Sequence, residues 1–253
     1  MSASFLNNFD ALYAANVLEL CRPFGAKELA ALTALTHRKS HLPRGGSLFR
    51  QGQDMTSLYV MTGGLVKTHV DNEHGREQIT SFLRPGNVIG LDALHTKRYK
   101  TAATALKESH VEEILVPRLR AALQEDRKLG MLLLDCVSST LAGAEESIML
   151  LGSKNGASRV AAFLLIQSLQ RGSGNPRMNF ALDMTRTDIG NYLNLTKEAT
   201  CRHLRRLEKR ALISVDNKSV AIRRFEELCA VAGLSSLASL KPLVPMTVDL
   251  DIT

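Results

Sequence analysis

Between His41 and Val116, short apolar stretches rich in β-branched residues alternate with glycine-containing turns. This pattern predicts a series of short strands, and several strands at such spacing favour a sandwich or barrel. Asn72–Gly75 has the composition of a hairpin turn, and Ala26–His37 ahead of the strands has apolar residues at helical spacing. The clearest strand candidates are Leu58–Met61, Leu65–Val70 and Gln78–Leu83.

The pattern becomes helical from Pro117 to Leu151, and five apolar residues there are spaced three, four, three and four apart. This is the a/d spacing that lets two helices supercoil, so it predicts a dimer interface. The alternative is that the same face packs against the β domain of its own chain. Gly152 and Gly156 indicate a hinge, after which Ser158–Gln170 is helical again. The five residues are Leu134, Val137, Leu141, Ala144 and Ile148.

Local signals after Thr185 predict two short helices joined by a tight turn. Thr185 and Asp188 have the spacing of a capping box, with Asp in place of the usual Glu or Gln, so a helix is expected to begin there. Asn194 tolerates the left-handed conformation of a tight turn, and Thr196 is suited to cap the second helix. Two helices connected in this way form a helix-turn-helix unit.

The second helix is expected to have a buried face and an exposed face. The predicted buried residues are Thr200, Leu204, Leu207 and Ala211. The predicted exposed residues are Glu198, Cys201, Arg202 and Arg205. After this helix, Leu212–Val215 and Ser219–Ile222 are predicted to form the β-hairpin of a winged helix, with Lys218 at its tip.

The exposed face of the second helix carries candidate DNA contacts. In helix-turn-helix proteins the first residues of this helix meet base edges in the major groove. Arginine can pair with guanine O6 and N7, and glutamate can accept from cytosine N4, so Arg202 and Glu198 are predicted to read bases. The basic residues further along are predicted to contact phosphates. The predicted DNA-binding residues are Thr196, Lys197, Glu198, Cys201, Arg202, Arg205, Arg206, Lys209 and Lys218.

Charge supports this prediction and composition excludes other classes. The net charge is +7 and the pI is about 9.4, and lysines and arginines outnumber acids nine to three between residues 197 and 224. There is no apolar run of roughly 18–20 residues for a membrane span and no signal peptide, so a cytoplasmic location is expected. No nucleophile–base set or P-loop indicates an enzyme. The four cysteines and seven histidines lack metal-ligand spacing, so neither a metal nor a cofactor is predicted.

From about Cys21 to Gly233 the chain resembles the CRP/FNR family of regulators, and the FNR branch more closely. The resemblance implies an α+β fold with an N-terminal β-roll sensor domain (a jelly roll like the cyclic-nucleotide-binding domain), a long dimerisation helix and a C-terminal winged helix-turn-helix. It also implies a homodimer on palindromic double-stranded DNA that activates through RNA polymerase. The resembling segments include Ser57–Tyr59, Glu77–Thr80, Leu150–Asn155 and Thr185–Thr196.

The expected domain organisation follows from these boundaries. It comprises an N-terminal extension (1–25), the sensor β-roll (26–126), the dimerisation helix (127–151), the DNA-binding domain (152–233) and a tail (234–253).

The resemblance also implies the DNA half-site. Recognition helices of the FNR type carry Glu-x-x-Ser-Arg, and here Glu198 and Arg202 match while Cys201 replaces the serine. A half-site close to TTGAT is therefore implied. Oxygen-sensing relatives hold an iron–sulfur cluster with four cysteines, of which Cys21 alone matches, and the fourth ligand position falls on Glu112. One thiolate cannot hold a cubane cluster, so none is predicted.

The effector of the sensor domain is left open. Family members that bind cyclic nucleotides use a Gly-Glu pair and an Arg-Ser/Thr-Ala run, whereas here Gly90 precedes Leu91 and the later run is Lys100-Thr101-Ala102. Lysine lacks the bidentate grip of arginine, although Gly90, Leu91, Lys100 and Thr101 remain a possible effector pocket for an anion. The alternatives are therefore a regulator gated by a cyclic nucleotide or another small anion, and a sensor module that acts through protein contacts.

Overall fold

The computed structural model describes residues 26–71, 77–153, 155–171 and 176–234, without the side chains of residues 26–29, 142, 143 and 145–153. These residues fall into two compact units. The first unit contains the described residues up to Thr140 together with Leu182–Cys201. The second contains Leu141–Ala181 and the described residues from Arg202 onward. The hairpin turn predicted at Asn72–Gly75 lies outside the described residues, as do Cys21 and most of the tail.

Two antiparallel four-stranded sheets form the β-roll of the first unit. The strands are β1 (Arg38–Leu42), β2 (Ser47–Phe49), β3 (Ser57–Gly63), β4 (Val66–Asp71), β5 (Glu77–Leu83), β6 (Val88–Ile89), β7 (Ala102–Ala105) and β8 (Ser109–Leu115). One sheet has the order β1-β8-β3-β6 and the other β2-β7-β4-β5. The three strands predicted most clearly from the sequence correspond to β3, β4 and β5.

The interior of the β-roll is filled by apolar and aromatic side chains of both sheets. Strand β3 contributes on both faces: Tyr59 and Met61 belong to one buried cluster, while Leu58 and Val60 belong to a second cluster that includes helical residues. This double burial explains why β3 is an almost continuous apolar run rather than an alternating one.

In the described part of the chain, three α-helices accompany the β-roll: α1 (Ala26–Thr33), α2 (Val116–Glu125) and α3 (Arg127–Ser153). A short 3-10 helix covers Leu91–Ala93. The helix expected over Ala26–His37 therefore ends early, and the helical stretch expected from Pro117 is two helices. The break between them lies at Asp126, which has extended dihedrals of φ −120° and ψ 104°. Its carboxylate accepts hydrogen bonds from the backbone N–H of Lys128 and Leu129, at 2.8 and 3.3 Å, and so caps the start of α3.

Helix α3 has two apolar faces with different environments. Leu129 and Cys136 are buried in the cluster that includes β3, with Leu132 and Leu133 packed against it. On another face Met131, Leu134, Val137 and Leu141 remain 40–60% exposed, and Ala144 is exposed as well. Packing within the chain therefore uses a different set of residues from the predicted seam. The side chain of Ile148 lies outside the described residues.

The second unit contains α4 (Gly156–Arg171), β9 (Asn179–Ala181), β10 (Ile213–Asp216), β11 (Ser219–Ile222) and α7 (Phe225–Ala232). Its sheet has the order β10-β11-β9, and β9 was not predicted from the sequence. Helix α4 packs against α7, and its first turn is capped by the side chain of Asn155, which accepts from the N–H of Ser158 at 3.0 Å. Two further helices, α5 (Arg186–Leu193) and α6 (Lys197–Lys209), form the helix-turn-helix.

Helix α5 packs on strand β5 within the first unit. The side-chain amide of Gln78 donates to the carbonyl of Asn191 at 2.6 Å, and the rings of Phe82 and Tyr192 are 5.2 Å apart. The ammonium group of Lys67 lies 3.2 Å from the Asp188 carboxylate. The β-roll therefore supports the first helix of the helix-turn-helix through apolar, polar and charged contacts.

Candidate nucleic-acid interface

The first helix of the helix-turn-helix begins with the predicted capping box. The hydroxyl oxygen of Thr185 accepts from the N–H of Asp188 at 3.0 Å, and the Asp188 carboxylate accepts from the N–H of Thr185 at 2.9 Å and from its hydroxyl at 2.6 Å. Burial alone would raise the pKa of Asp188, but these hydrogen bonds and the nearby Lys67 hold the pKa below its usual value. The start of α5 is thus fixed by an ionised carboxylate.

The turn between the two helices depends on one left-handed residue and one close backbone approach. Asn194 has φ 52° and ψ 51°, as predicted, and the N–H of Leu195 donates to the carbonyl of Gly190 at 2.9 Å. A Cβ at Gly190 would lie 2.7 Å from the carbonyl oxygen of Leu195. Glycine is therefore required at position 190 for the turn to close, a requirement that local propensity did not reveal.

Helix α6 is capped and oriented largely as predicted. The Thr196 hydroxyl oxygen accepts from the N–H of Ala199 at 3.1 Å. Thr200, Leu204 and Leu207 are buried. The prediction for Ala211 was wrong: the helix ends at Lys209, and Ala211 is exposed in a left-handed conformation with φ 55°.

The physical reason for this correction is the way that the helix ends. The N–H of Leu212 donates to the carbonyl of Leu207 at 3.1 Å, and the N–H of Ala211 donates to that of Glu208 at 2.7 Å. This is the hydrogen-bond pattern of a Schellman motif. The motif turns Ala211 outward and buries Leu212 in its place.

The other face of α6 carries a row of cations. Its members Arg202, Arg205, Arg206 and Lys209 are exposed, and the acidic Glu198 is exposed at the start of the same face. Thr196 and Lys197 are exposed too, whereas Cys201 is half-buried. Within the described part of the chain, no carboxylate forms an ion pair with any of the basic residues of this row. These cations are therefore available to phosphates.

The charged side chains at the two ends of α6 are arranged in the way that the helix dipole favours. Glu198 lies in the first turn, and Arg206 and Lys209 lie in the last turn, where each charge is stabilised by the dipole. Burial, together with the positive charges of Arg202 and Arg206, lowers the pKa of His203. His203 is therefore neutral at pH 7, and the positive charge of this helix comes from arginine and lysine.

The wing is tied to α6 by a side chain that the sequence did not single out. The carboxylate of Glu208 accepts from the backbone N–H of Val215 at 2.8 Å, so this acid holds the hairpin instead of facing a ligand. Strands β10 and β11 pair from Ile213 opposite Ile222 to Asp216 opposite Ser219. The exposed Lys218 lies in the two-residue turn at the tip, as predicted.

Two of the four residues expected to line an effector pocket, Gly90 and Leu91, are packed against apolar and aromatic side chains. Leu91 is buried in an apolar cluster, and a Cβ at Gly90 would lie 3.3 Å from the ring of Tyr99. That ring stacks on Phe49 with centroids 3.7 Å apart. The Lys100 side chain is exposed, and Thr101 is half-buried.

Lys100 also has an anionic neighbour. Burial raises the pKa of Asp92, and the positive charge of Lys100 acts in the opposite direction.

Among the described residues, no cysteine belongs to a group of side chains that could hold a metal ion. At the position of the fourth ligand, the Glu112 carboxylate accepts from the Thr36 hydroxyl at 2.7 Å and pairs with Lys39 at 2.9 Å. Burial would raise the pKa of Glu112, but these two partners hold it below its usual value. Three of the four cysteines are Cys136 and Cys229, both buried, and the half-buried Cys201 on α6. These three described thiols do not form the four-thiolate set of an iron–sulfur cubane.

Taken together, the β-roll, the long helix and the winged helix-turn-helix define a class of DNA-binding regulators with an N-terminal sensor-type domain. The model of the cyclic nucleotide-binding domain matches residues 39–126, and that of the Crp-like helix-turn-helix domain matches residues 158–231. The chain is 38% identical over 225 residues to the fumarate and nitrate reduction regulatory protein of Vibrio cholerae, covering 87% of this chain and 89% of that protein. The chain therefore belongs to the CRP/FNR family of transcription regulators and to its FNR-like part.

Other relatives agree with this assignment. Electron transport regulator A of Shewanella oneidensis is 37% identical over 224 residues, covering 87% of this chain and 89% of that one. Among solved structures, FixK2 from Bradyrhizobium japonicum has a TM-score of 0.71 and 27% identity, covering 77% of this chain and 96% of that one. A CRP/FNR-family regulator from Thermus thermophilus, with a TM-score of 0.62 and 19% identity over 78% of this chain and 98% of that one, shares the fold. No helix in the described residues is long and apolar enough to cross a bilayer.

Proposed function

We propose that this regulator binds a palindromic site of TTGAT-like half-sites as a homodimer and activates transcription through RNA polymerase. The observation that carries the proposal is the exposed pair Glu198 and Arg202 near the start of a capped helix with a row of unpaired cations behind it. In the Glu-x-x-Ser-Arg pattern of FNR-type recognition helices these are the two residues that match. Half-sites about one DNA turn apart suit a two-fold dimer of such helices.

The dimer part of the proposal is supported by the outer face of α3. Met131, Leu134, Val137 and Leu141 are large apolar side chains that one chain leaves 40–60% exposed. Leu134, Val137 and Leu141 have the predicted a/d spacing, and Met131 lies beside this seam, because the preceding seam position falls on Gly130. A second copy of the same helix would bury this stripe against its own equivalent, as in a coiled coil.

We further infer that the protein works without an iron–sulfur cluster. The support is the acid at the fourth ligand position, which is held by Lys39 and Thr36. Anaerobic reconstitution with iron and sulfide should give no cubane absorption in the visible spectrum, and a four-iron product held by the chain would contradict this inference.

The test of base readout is a comparison of two duplexes in fluorescence anisotropy titrations at fixed salt. One duplex carries the TTGAT palindrome and the other a scrambled sequence of equal composition. Arg202→Ala should cost about 1–3 kcal/mol on the palindrome, because one bidentate base contact is lost, and should leave the scrambled duplex almost unaffected. Lys209→Ala is the matched control, since loss of a phosphate contact should weaken both duplexes alike and lower the salt slope by about 0.9.

Two results would contradict the proposal. One is an Arg202→Ala protein that discriminates between the duplexes as well as the parent does. The other is a parent protein that binds both duplexes with equal affinity, which would favour a module that acts through protein contacts.

A further inference from the structure

The hairpin of β4 and β5 brings together three side chains that sequence spacing alone did not associate. His69 and Asp71 are two residues apart on β4, and Asp71 is paired directly opposite Glu77 on β5. The imidazole Nδ1 and one oxygen of each carboxylate all lie within 4.8 Å of one another. All three residues belong to the first unit.

The imidazole of His69 is held in a defined orientation. The residue is 8% exposed, and its Nε2 lies 3.2 Å from the hydroxyl oxygen of Thr104. The buried Nδ1 has no hydrogen-bond partner among the described residues. A second ring nitrogen that is anchored by a neighbouring group is how proteins usually orient a histidine ligand.

The distances from Nδ1 fit a shared cation. The nearest oxygens of Asp71 and Glu77 lie 3.4 and 3.6 Å away. Bonds of about 2.1 Å arranged tetrahedrally around one ion separate neighbouring donor atoms by about 3.4 Å. One nitrogen and two carboxylate oxygens are a donor set that suits zinc and similar divalent ions.

The side chains around His69 also carry an excess of negative charge, which favours a bound cation. Asp71, Glu77 and Asp188 carry three negative charges, and Lys67 brings one positive charge. The Lys67 ammonium lies 2.6 Å from Glu77 and 3.2 Å from Asp188. Without His69, these four side chains have a net charge of −2, which one divalent ion would neutralise.

We propose that His69 Nδ1, Asp71 and Glu77 bind one divalent transition-metal ion of the zinc type, with solvent completing the coordination. The ion would share the Glu77 carboxylate with Lys67. Because Lys67 also contacts Asp188 at the start of α5, the site lies one ion pair away from the helix-turn-helix. Any effect of the ion on DNA affinity rests on the proposed function, whereas the metal site itself does not.

The test is a calorimetric titration of the full-length protein, without DNA and under a non-thiol reductant, with Zn²⁺. The parent should bind one ion per chain at this site, and Asp71→Asn should weaken its affinity tenfold or more. Asp71 is 60% exposed, so this variant removes a ligand without disturbing the core. His69→Gln should have the same effect, and circular dichroism checks that it is folded.

A second cluster on the surface supplies the matched control. His41, Glu108 and His110 also have donor atoms within 4.8 Å of one another, but all three are exposed. His110→Ala should leave the zinc isotherm unchanged. Equal affinity in the parent and Asp71→Asn, loss of the ion in His110→Ala, or no zinc binding by the parent would each overturn the proposal. The DNA titrations are performed separately, so such a result leaves the proposed function standing.

Discussion

Replacement of Asp188 by alanine is a sharp test of the physical account of the helix-turn-helix. The substitution removes the acceptor for the backbone N–H and hydroxyl of Thr185 and one of the two acid partners of Lys67. Both charged side chains are nearly buried, at 12% exposure for Lys67 and 11% for Asp188. Lys67 keeps Glu77 as a partner, so no buried charge is left alone.

The expected cost can be estimated from these contacts. Loss of a capping interaction destabilises a helix by about 1 kcal/mol. Loss of hydrogen bonds to a charged group costs about 1.5–3 kcal/mol. Because the same carboxylate makes both contributions, we expect about 2–3 kcal/mol in total for the unfolding of the first unit.

Urea denaturation monitored by circular dichroism measures this cost, and Asp183→Ala is the matched control. Asp183 also faces basic side chains of the β-roll, with Lys107 at 3.5 Å and Arg84 at 3.9 Å. It is more exposed, at 29%. We expect its replacement to cost less than about 1 kcal/mol.

The pH dependence gives a second readout with a defined sign. The folded state holds the pKa of Asp188 below its usual value, so the ionised form is the one that stabilises the fold. The advantage of the parent over Asp188→Asn should be complete at neutral pH. It should shrink as the pH falls below about 4 and through the folded pKa. An advantage that grows on acidification, or an equal cost for Asp188→Ala and Asp183→Ala, would refute the reasoning.

Three further substitutions test other parts of the structure. Leu134→Glu places a charge on the exposed stripe of α3 and should give a folded monomer in sedimentation velocity. Gly190→Ala would set a Cβ 2.7 Å from the carbonyl oxygen of Leu195, so thermal denaturation should show a loss of about 1–3 kcal/mol. Tyr99→Phe removes a buried hydroxyl that donates to the carbonyl of Ser57 at 2.6 Å, and urea denaturation should show a loss of about 1–2 kcal/mol.

Two of these outcomes have a control within the chain. Asp135→Lys changes the charge at an exposed position of α3 outside the stripe and should leave the oligomeric state unchanged. Gly130, like Gly190, lies in an α-helix, but a Cβ added there would have no atom within 4 Å. Gly130→Ala should therefore not destabilise the fold. A dimer with Leu134→Glu, a fully stable Gly190→Ala, or an unchanged urea midpoint for Tyr99→Phe would contradict the corresponding argument.

Features that depend on neighbouring residues could be predicted from the sequence. The capping box at Thr185, the left-handed Asn194 and the cap at Thr196 involve side chains within three residues of the backbone groups that they satisfy. The wing hairpin was also predicted, because its two strands are separated by a turn of two residues. Local chemistry is sufficient for such features.

Features that depend on distant parts of the chain were missed. Strand β9 forms because it pairs with β11, and its three residues are too few to show a strand pattern in the sequence. Gly190 is required by the carbonyl of Leu195 across the turn, and the left-handed conformation of Ala211 after the end of α6 accompanies the burial of Leu212. The cluster around His69 forms only when β4 and β5 pair. In each case a tertiary contact determines the local structure, and the sequence pattern of one segment carries no information about that contact.

The stripe on α3 has a consequence for how the amount of protein would set gene expression. If two copies must associate before they can occupy both half-sites, promoter occupancy at low copy number follows the square of the monomer concentration. Each doubling of the regulator then raises occupancy roughly fourfold until most chains are paired. The response to gene dosage would thus be steeper than that of a monomeric repressor or activator, even with no signal bound.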